Sequence, residues 1–230
     1  MNTKENFTGF YPETFRFFAE LKENNYKPWF DANKSIYETK VLQPLKTLAA
    51  ALTPTFHEVD PLMDFRPNKM ISRIYRDIRF SHDKTPYKSQ MWISFQRPFL
   101  KKNEDWASFP GYYMEIGEEG VGFGMGLFQA KKKTMDSYRD RISYDPDSFK
   151  EITGNLLDNH GFKIGGEEYK RPIKTDLSEY FQPWIQRKGI YLQKHLSDNQ
   201  VFYSPDFVQY MEKEFAPLHP FYDFLVDVCD

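Results

Sequence analysis

The first hydrophobic stripe of the chain has helical spacing. Its members lie at positions i, i+3 and i+4 and are Phe15, Phe18 and Ala19. This spacing is typical of an amphipathic helix. Pro12 suits the first turn of such a helix, because its missing N–H is not needed there. The pair Asn24 and Asn25 indicates where the helix ends.

A second and longer stripe predicts another helix, which begins near Pro28. Its apolar positions approximate a 3.6-residue repeat and are Trp29, Ile36, Tyr37, Val41, Leu45, Leu48, Ala49 and Leu52. Pro44 falls inside this run. Because proline lacks the N–H of the helical hydrogen bond, we expect Pro44 to kink or split the helix. A further i, i+3, i+4, i+7 pattern from Ile71 to Ile78 also predicts a helix, although strand alternation fits part of it.

The middle of the chain changes to a period of two, which is typical of strands. The predicted strands are residues 89–97, 111–118 and 120–129, and the last two are joined by a short hairpin connection. The third strand presents glycines on one side, at positions 120, 122, 124 and 126. A bare glycine face permits the close approach of a helix, which is the favoured interpretation, or of a ligand or another backbone.

Helical patterns return after the strands. Thr134 is a candidate cap for a helix, and Asp145 followed by Pro146 predicts the start of the next one. Ser204 and Pro205 repeat this arrangement before a terminal helix, whereas residues 162–200 show no clear pattern. Helices, then an antiparallel sheet, then helices predict an α+β fold. We expect residues 1–230 to form a single domain, because no linker or repeat divides them.

Composition limits the classes of protein that the chain can represent. Of its 230 residues, 40% are hydrophobic and 18% aromatic, which is enough for a buried core and argues against disorder. The net charge of −2 gives no general attraction to nucleic acid or acidic membranes. The single cysteine, Cys229, cannot form an intrachain disulfide. With no secretory signal and no apolar run of membrane-spanning length, we expect a cytoplasmic protein without a membrane partner.

Positive charge is concentrated between residues 69 and 88. This segment holds six cations against Asp77 and Asp83, a local charge of +4 in a chain of net −2. The cations are Lys69, Arg73, Arg76, Arg79, Lys84 and Lys88. A patch of this contrast attracts anions, and guanidinium groups match phosphate or carboxylate oxygens in pairs. The sequence therefore predicts a site for a phosphorylated or otherwise anionic small molecule.

Individual residues of the segment receive candidate roles in such a site. Arg73, Arg76, Arg79, Lys84 and Lys88 supply positive charge. Asp77 orients the arginines, and Tyr87 offers a ring and a hydroxyl group. If the site is catalytic, His82 or Asp83 would transfer a proton.

Two other interpretations of the basic segment stay open. The cations could belong to a nucleic-acid or protein interaction module, extended along a groove by Lys131, Lys132 and Lys133. The overall acidity of the chain makes nucleic acid the weaker of the partners considered. Alternatively, Arg76, Asp77 and Arg79 could form an internal ion-pair network with a structural role.

Signatures of other chemistry are absent from the sequence. The five histidines do not have zinc-site spacing, and no P-loop, GxSxG or GxGxxG motif occurs. The glycines of the third strand have strand spacing rather than the spacing of a dinucleotide turn. We therefore predict no metal site, and no motif indicates a cofactor.

Several stretches together resemble a family found in bacteria and fungi, the domain of unknown function 2461. RIYRDIRFSHDKTPYKS at residues 73–89 is similar to the central signature of this family. The opening helix with its Asn-Asn-x-x-x-Trp-Phe segment, the strand pair GYYMEIGEEGVGFGMGLF, the helices after it and the YKRPIK segment are similar as well. The resemblance covers most of the chain and supports one fold over its length. It implies no activity, cofactor or partner.

Overall fold

The computed structural model describes residues 6–79, 82–98, 109–128 and 130–229. The helices before the sheet are α1 (Pro12–Glu23), α2 (Lys27–Ile36), α3 (Gln43–Val59) and α4 (Pro67–Met70). The strands are β1 (Gln90–Gln96), β2 (Gly111–Gly117), β3 (Gly120–Leu127), β4 (Lys163–Gly165) and β5 (Ile190–Leu196). The later helices are α5 (Lys132–Tyr144), α6 (Pro146–Asp158), α7 (Gln182–Ile185), α8 (Phe207–Phe215) and α9 (His219–Cys229). None of the described helices has the length and apolarity needed to cross a membrane.

The strands form one antiparallel sheet in the order β1-β2-β3-β5-β4. The predicted α+β class, with a sheet in the middle of the chain and helices before and after it, is confirmed. The three predicted strands are present with slightly shorter bounds. Strands β4 and β5 fall within residues 162–200, where no pattern was clear, and they pair with Ile164 opposite Leu192.

Strand β3 is buried along its whole length, and its glycines allow a close neighbour. A Cβ atom at Gly124 would lie 1.9 Å from the carbonyl oxygen of Leu192 in β5. At Gly122 a Cβ atom would lie 2.8 Å from a carboxylate oxygen of Glu115 in β2. The glycine face therefore accommodates the backbone of β5 at Gly124 and an acidic side chain at Gly122.

Pro44 has the effect predicted for it. A π-helical turn (Tyr37–Leu42) separates α2 from α3, and Pro44 is near the start of α3. Proline has no N–H to donate to the carbonyl of Lys40, four residues earlier. The hydroxyl of Thr14 in α1 donates to this carbonyl instead, at 2.5 Å. The hydrogen bond that Pro44 cannot donate is thus replaced by one from a side chain of α1.

The helix predicted from Ile71 to Ile78 is wrong. In the described part of this stretch the backbone forms isolated bridges, with Ile71 opposite Ile93 and Tyr75 opposite Tyr87. Ile74 is buried, but Tyr75 and Ile78 are exposed, so the four apolar positions do not share a buried face. Backbone pairing with residues 86–88 uses the Arg76 N–H and the Ile74 carbonyl, which a helix would have bonded locally.

The chain divides into two compact units. The first comprises Met1–Phe95, Tyr113–Gly122 and His195–Lys213, and the second comprises Gln96–Tyr112, Phe123–Lys194 and Glu214–Asp230. Each unit combines segments that are distant in sequence, and β3 contributes to both. That residues 1–230 form a single domain stays a prediction.

Aromatic rings fill the core of the first unit. Phe56 of α3 stacks on Phe95 of β1, with ring centroids 3.9 Å apart. Phe7 and Phe10 pack edge-on or tilted against Phe207 of α8. Each buried ring removes a large apolar area from water, so this unit is well stabilised at its centre.

The second unit has its own aromatic core. Phe149 of α6 contacts Trp184 of α7 and Phe224 of α9, each at a centroid distance of 5.1 Å. Arg139 of α5 donates to the carbonyls of Ile185 and Arg187 at 2.9 and 2.7 Å. As predicted, Asp145 caps the start of α6, and its carboxylate accepts from the Ser148 N–H.

Candidate functional site

Residues 73–79 and 82–88 of the basic segment are two extended stretches of backbone that lie side by side, and they do not form a helix. The Arg76 N–H donates to the Pro86 carbonyl at 2.9 Å, and the Lys88 N–H donates to the Ile74 carbonyl at 2.8 Å. These bonds place residues 73–79 beside residues 82–88. Residues 80 and 81, which belong to the signature, lie outside the described residues.

Tyr87 anchors this segment to the first two helices. Its ring is buried and stacks on Phe30 of α2, with centroids 4.1 Å apart. The side chain of Asn25 accepts from the Tyr87 N–H and donates to the Tyr87 carbonyl, both at 3.0 Å. Two stretches of the family resemblance, the Asn-Asn-x-x-x-Trp-Phe segment and the central signature, therefore meet at Tyr87. Its predicted role as a ligand contact stays a prediction.

Arg76 is held by two oxygen acceptors. One of its terminal nitrogens, Nη2, lies 3.1 Å from Asp83 Oδ2 and 3.3 Å from the Tyr87 carbonyl. The Arg76 Nε atom is buried and has no hydrogen-bond partner among the described residues. Asp83 also accepts from the N–H and hydroxyl of Thr85, and these bonds, followed by Arg76, lower the pKa of Asp83.

Arg79 and Asp77 form a separate ion pair at the surface. Arg79 Nε and Nη2 donate to the two carboxylate oxygens of Asp77 at 2.9 and 2.6 Å. Hydrogen bonds from the Arg79 side chain and backbone lower the pKa of Asp77 to about 2. Nearby, Lys84 Nζ donates to the Ile78 carbonyl at 2.8 Å, and His82 is exposed. Asp77 thus pairs with one arginine, Arg79, and neutralises it. Its predicted role of orienting the arginines of a ligand site stays a prediction.

Lys88 lies among other cations. Its Nζ donates to the Arg73 carbonyl at 2.8 Å and lies 4.1 Å from the ring centroid of Trp92. Partial burial, and then the charges of Arg73 and Arg76, lower the pKa of Lys88. The guanidinium of Arg73 is exposed. We call Arg73, Arg76 and Lys88 the cation cluster; Asp83 is the carboxylate paired with it.

The second basic run has a local partner. Lys132 is the first residue of α5, and its Nζ lies 2.6 Å from a carboxylate oxygen of Asp136. Lys131, Lys132 and Lys133 belong to the second unit, whereas the basic segment belongs to the first. A groove continuing from one to the other stays a prediction.

A pocket in the first unit was missed by the sequence interpretation. We call it the Glu115 pocket; its volume is about 220 Å³ and it is lined by Ser89, Gln90, Glu115, Gly117, Glu118, Glu119, Gly120, Gly122 and His195. Gln90 Nε2 donates to Glu115 Oε2 at 2.9 Å, and His195 Nε2 lies 3.1 Å from the Glu119 carbonyl. An acidic residue in the centre of a strand, opposite a glycine-rich strand, is the signal that could have indicated it.

Together these features define an α+β protein in which an antiparallel sheet is accompanied by a cation cluster and an acidic pocket. The chain belongs to the family described as conserved hypothetical protein, DUF2461, whose model matches residues 13–224. The family resemblance drawn from the central signature is thereby confirmed. No curated protein matches the chain.

Proposed function

We propose that the cation cluster binds the anionic group of a small ligand, of which a phosphorylated metabolite is the class that fits best. The observation that carries the proposal is the position of Lys88. Its half-buried ammonium lies near Arg73 and Arg76, and its pKa is lowered by burial and by both arginines. Three cations with one paired carboxylate leave a positive potential that an anion would neutralise.

The proposed site contains fewer residues than the sequence indicated. Arg79 is neutralised by Asp77, and Lys84 lies at the Ile78 carbonyl, whereas Lys88 is the lysine on which the charges of both Arg73 and Arg76 act. Their direct contact with a ligand stays a prediction, as do the roles of His82 and Asp83 in proton transfer and the cytoplasmic location. Arg73, Arg76 and Lys88 are the cations on which we base the site.

The lowered pKa of Lys88 gives the site a pH dependence. The ammonium is disfavoured in the folded protein, so it loses its proton at a lower pH than a lysine in water. A bound phosphate would favour the ammonium and raise the pKa of Lys88 again. We therefore expect anion affinity to fall as the pH rises through the folded-state pKa of Lys88.

Calorimetric titration with inorganic pyrophosphate tests the proposal. Lys88→Met should weaken binding by about tenfold or more, because a charge-assisted hydrogen bond is lost. Arg79→Met is the matched control, since it removes a cation of the same segment that is already paired. Equal affinity of the two variants, or no binding of pyrophosphate, phosphate and sugar phosphates by the wild type, would contradict the proposal.

The dependence of affinity on salt concentration distinguishes the nucleic-acid alternative from the proposed small-anion site. A groove that neutralises several phosphates loses affinity steeply as the salt concentration rises. If oligonucleotides bind and pyrophosphate does not, the interaction module is the better description. The structural alternative predicts that Arg76→Ala lowers the melting temperature without any effect on ligands.

A further inference from the structure

Glu115 has fewer partners than a half-buried carboxylate normally has. Within the part of the chain that the structure describes, its one hydrogen bond is donated by the neutral amide of Gln90. Among the described residues, no lysine or arginine forms an ion pair with it. Burial raises the pKa of Glu115, and the neighbouring His195 partly opposes that shift. Charges removed from water are usually paired, yet the ionised side chain has no lysine or arginine counter-ion within the described residues.

The position of this carboxylate depends on a glycine. The Glu115 side chain lies across β3 where Gly122 has no Cβ, and an added Cβ would be 2.8 Å from Oε1. Gln90 on β1 holds the other oxygen. The Glu115 carboxylate therefore lies between Gln90 of β1 and Gly122 of β3, the two strands beside β2, on the wall of the pocket.

The groups around the pocket mostly accept hydrogen bonds. Glu118 is paired with Lys22 of α1, and Glu119 contributes an exposed carboxylate and the carbonyl beside His195. One of the two N–H groups of the Gln90 side-chain amide is already used by Glu115. Within the described residues, no group of three or more histidine, cysteine, aspartate or glutamate side chains is arranged to hold a metal ion. The complementary guest is a cation that brings its own N–H donors.

We propose that the Glu115 pocket binds a small organic cation bearing an ammonium or guanidinium group, with Glu115 as its counter-ion. The volume of about 220 Å³ is below the range of drug-sized ligand sites, so the guest is a short amine or the end of a longer one. The inference does not depend on the cation cluster, because the two sites use different residues and opposite charges.

Titration with propylammonium, followed by calorimetry or by amide chemical shifts, tests the inference. Wild-type protein should bind it with a dissociation constant of about 1 mM or lower. Glu115→Gln keeps the shape of the side chain and removes its charge, so affinity should fall about tenfold or more. Glu20→Gln, an exposed acid on α1, is the matched control and should bind as the wild type does.

Two further measurements separate a specific site from weak attraction to acidic groups. Propanol, the neutral analogue, should bind much more weakly than propylammonium. Gly122→Ala leaves every charge in place but crowds the Glu115 carboxylate, and it should also weaken amine binding. No binding by the wild type, equal affinity of Glu115→Gln and the wild type, or equal affinity for propanol would each overturn the inference. If Glu115→Gln does not fold, Gly122→Ala and the propanol comparison decide.

Discussion

The basic segment and the Glu115 pocket differ in how far their charges are satisfied. In the basic segment most cations have an oxygen partner within the chain: Arg76, Arg79, Lys84 and Lys88. In the pocket, the one hydrogen-bond partner of Glu115 among the described residues is the neutral amide of Gln90. The sequence showed the first region clearly because it concentrates cations, and it did not show the second. A high density of charged residues along a chain therefore predicts where ion pairs form better than it predicts where a charge lacks a charged partner.

The largest effect should come from removing the anchor of the basic segment. Tyr87→Ala deletes a buried ring that stacks on Phe30, and a truncation of this kind costs about 3–5 kcal/mol of unfolding free energy. Tyr75→Ala is the matched control, since Tyr75 lies opposite in the same segment but is 55% exposed. Urea unfolding measures both. Similar losses for the two variants would show that the segment is not held through Tyr87.

A smaller loss should follow from Asn25→Ala. Its side chain makes two hydrogen bonds to the backbone of Tyr87, and one of the freed groups is an N–H in a partly buried site. We expect a loss of about 2 kcal/mol in unfolding free energy. Asn24→Ala removes an amide that donates to a helix-end carbonyl at the surface, and it should cost less. If Asn24→Ala costs as much as Asn25→Ala, the hydrogen bonds between the α1–α2 connection and the signature are not a principal support of the fold.

The sequence pattern correctly predicted those helices and strands whose own conformational preference agrees with their tertiary contacts. Strands β1 to β3 have a clear period of two, and α6 has an aspartate cap followed by proline. The stretch from Ile71 to Ile78 has helical spacing, yet pairing with distant residues determines its backbone. Strand β4 has only three residues, and the pairing of β4 with β5 is set by neighbours in the sheet rather than by their own alternation.

The candidate site likewise has features that the sequence predicted and features that it could not predict. The sequence identified Arg73, Arg76 and Lys88 because cations outnumber acids there. It could not assign partners, since Arg79 pairs with Asp77 while Arg76 reaches Asp83 across the segment. The Glu115 pocket depends on Gln90 and His195, which are 25 residues before and 80 residues after Glu115 in sequence. Only the pairing of strands brings such residues together.

Glu115→Gln should change stability in the direction opposite to most substitutions. Because the folded-state pKa of Glu115 is raised, the native protein holds this proton more tightly than the unfolded chain does. Wild-type stability therefore falls as the pH rises through the window between the unfolded and folded pKa values. At neutral pH the glutamine variant should be more stable than the wild type, and the difference should shrink as the pH falls towards 4.5, the ordinary pKa of glutamate. Urea unfolding at neutral and acidic pH measures this, and a less stable variant at neutral pH would contradict it.

The smallest effect should come from Arg79→Gln, which tests whether the most visible ion pair of the signature matters for the fold. Both partners are exposed, and exposed pairs contribute little because water and salt screen them. The melting temperature should therefore fall only slightly. The pKa of Asp77 should nevertheless rise from about 2 towards its ordinary value of 3.8, since the side-chain hydrogen bonds from Arg79 are its largest cause of lowering. An NMR titration of Asp77 beside a thermal melt separates the two results. A clear fall in melting temperature would show that this surface pair, and not only Tyr87 and Asn25, fastens the basic segment.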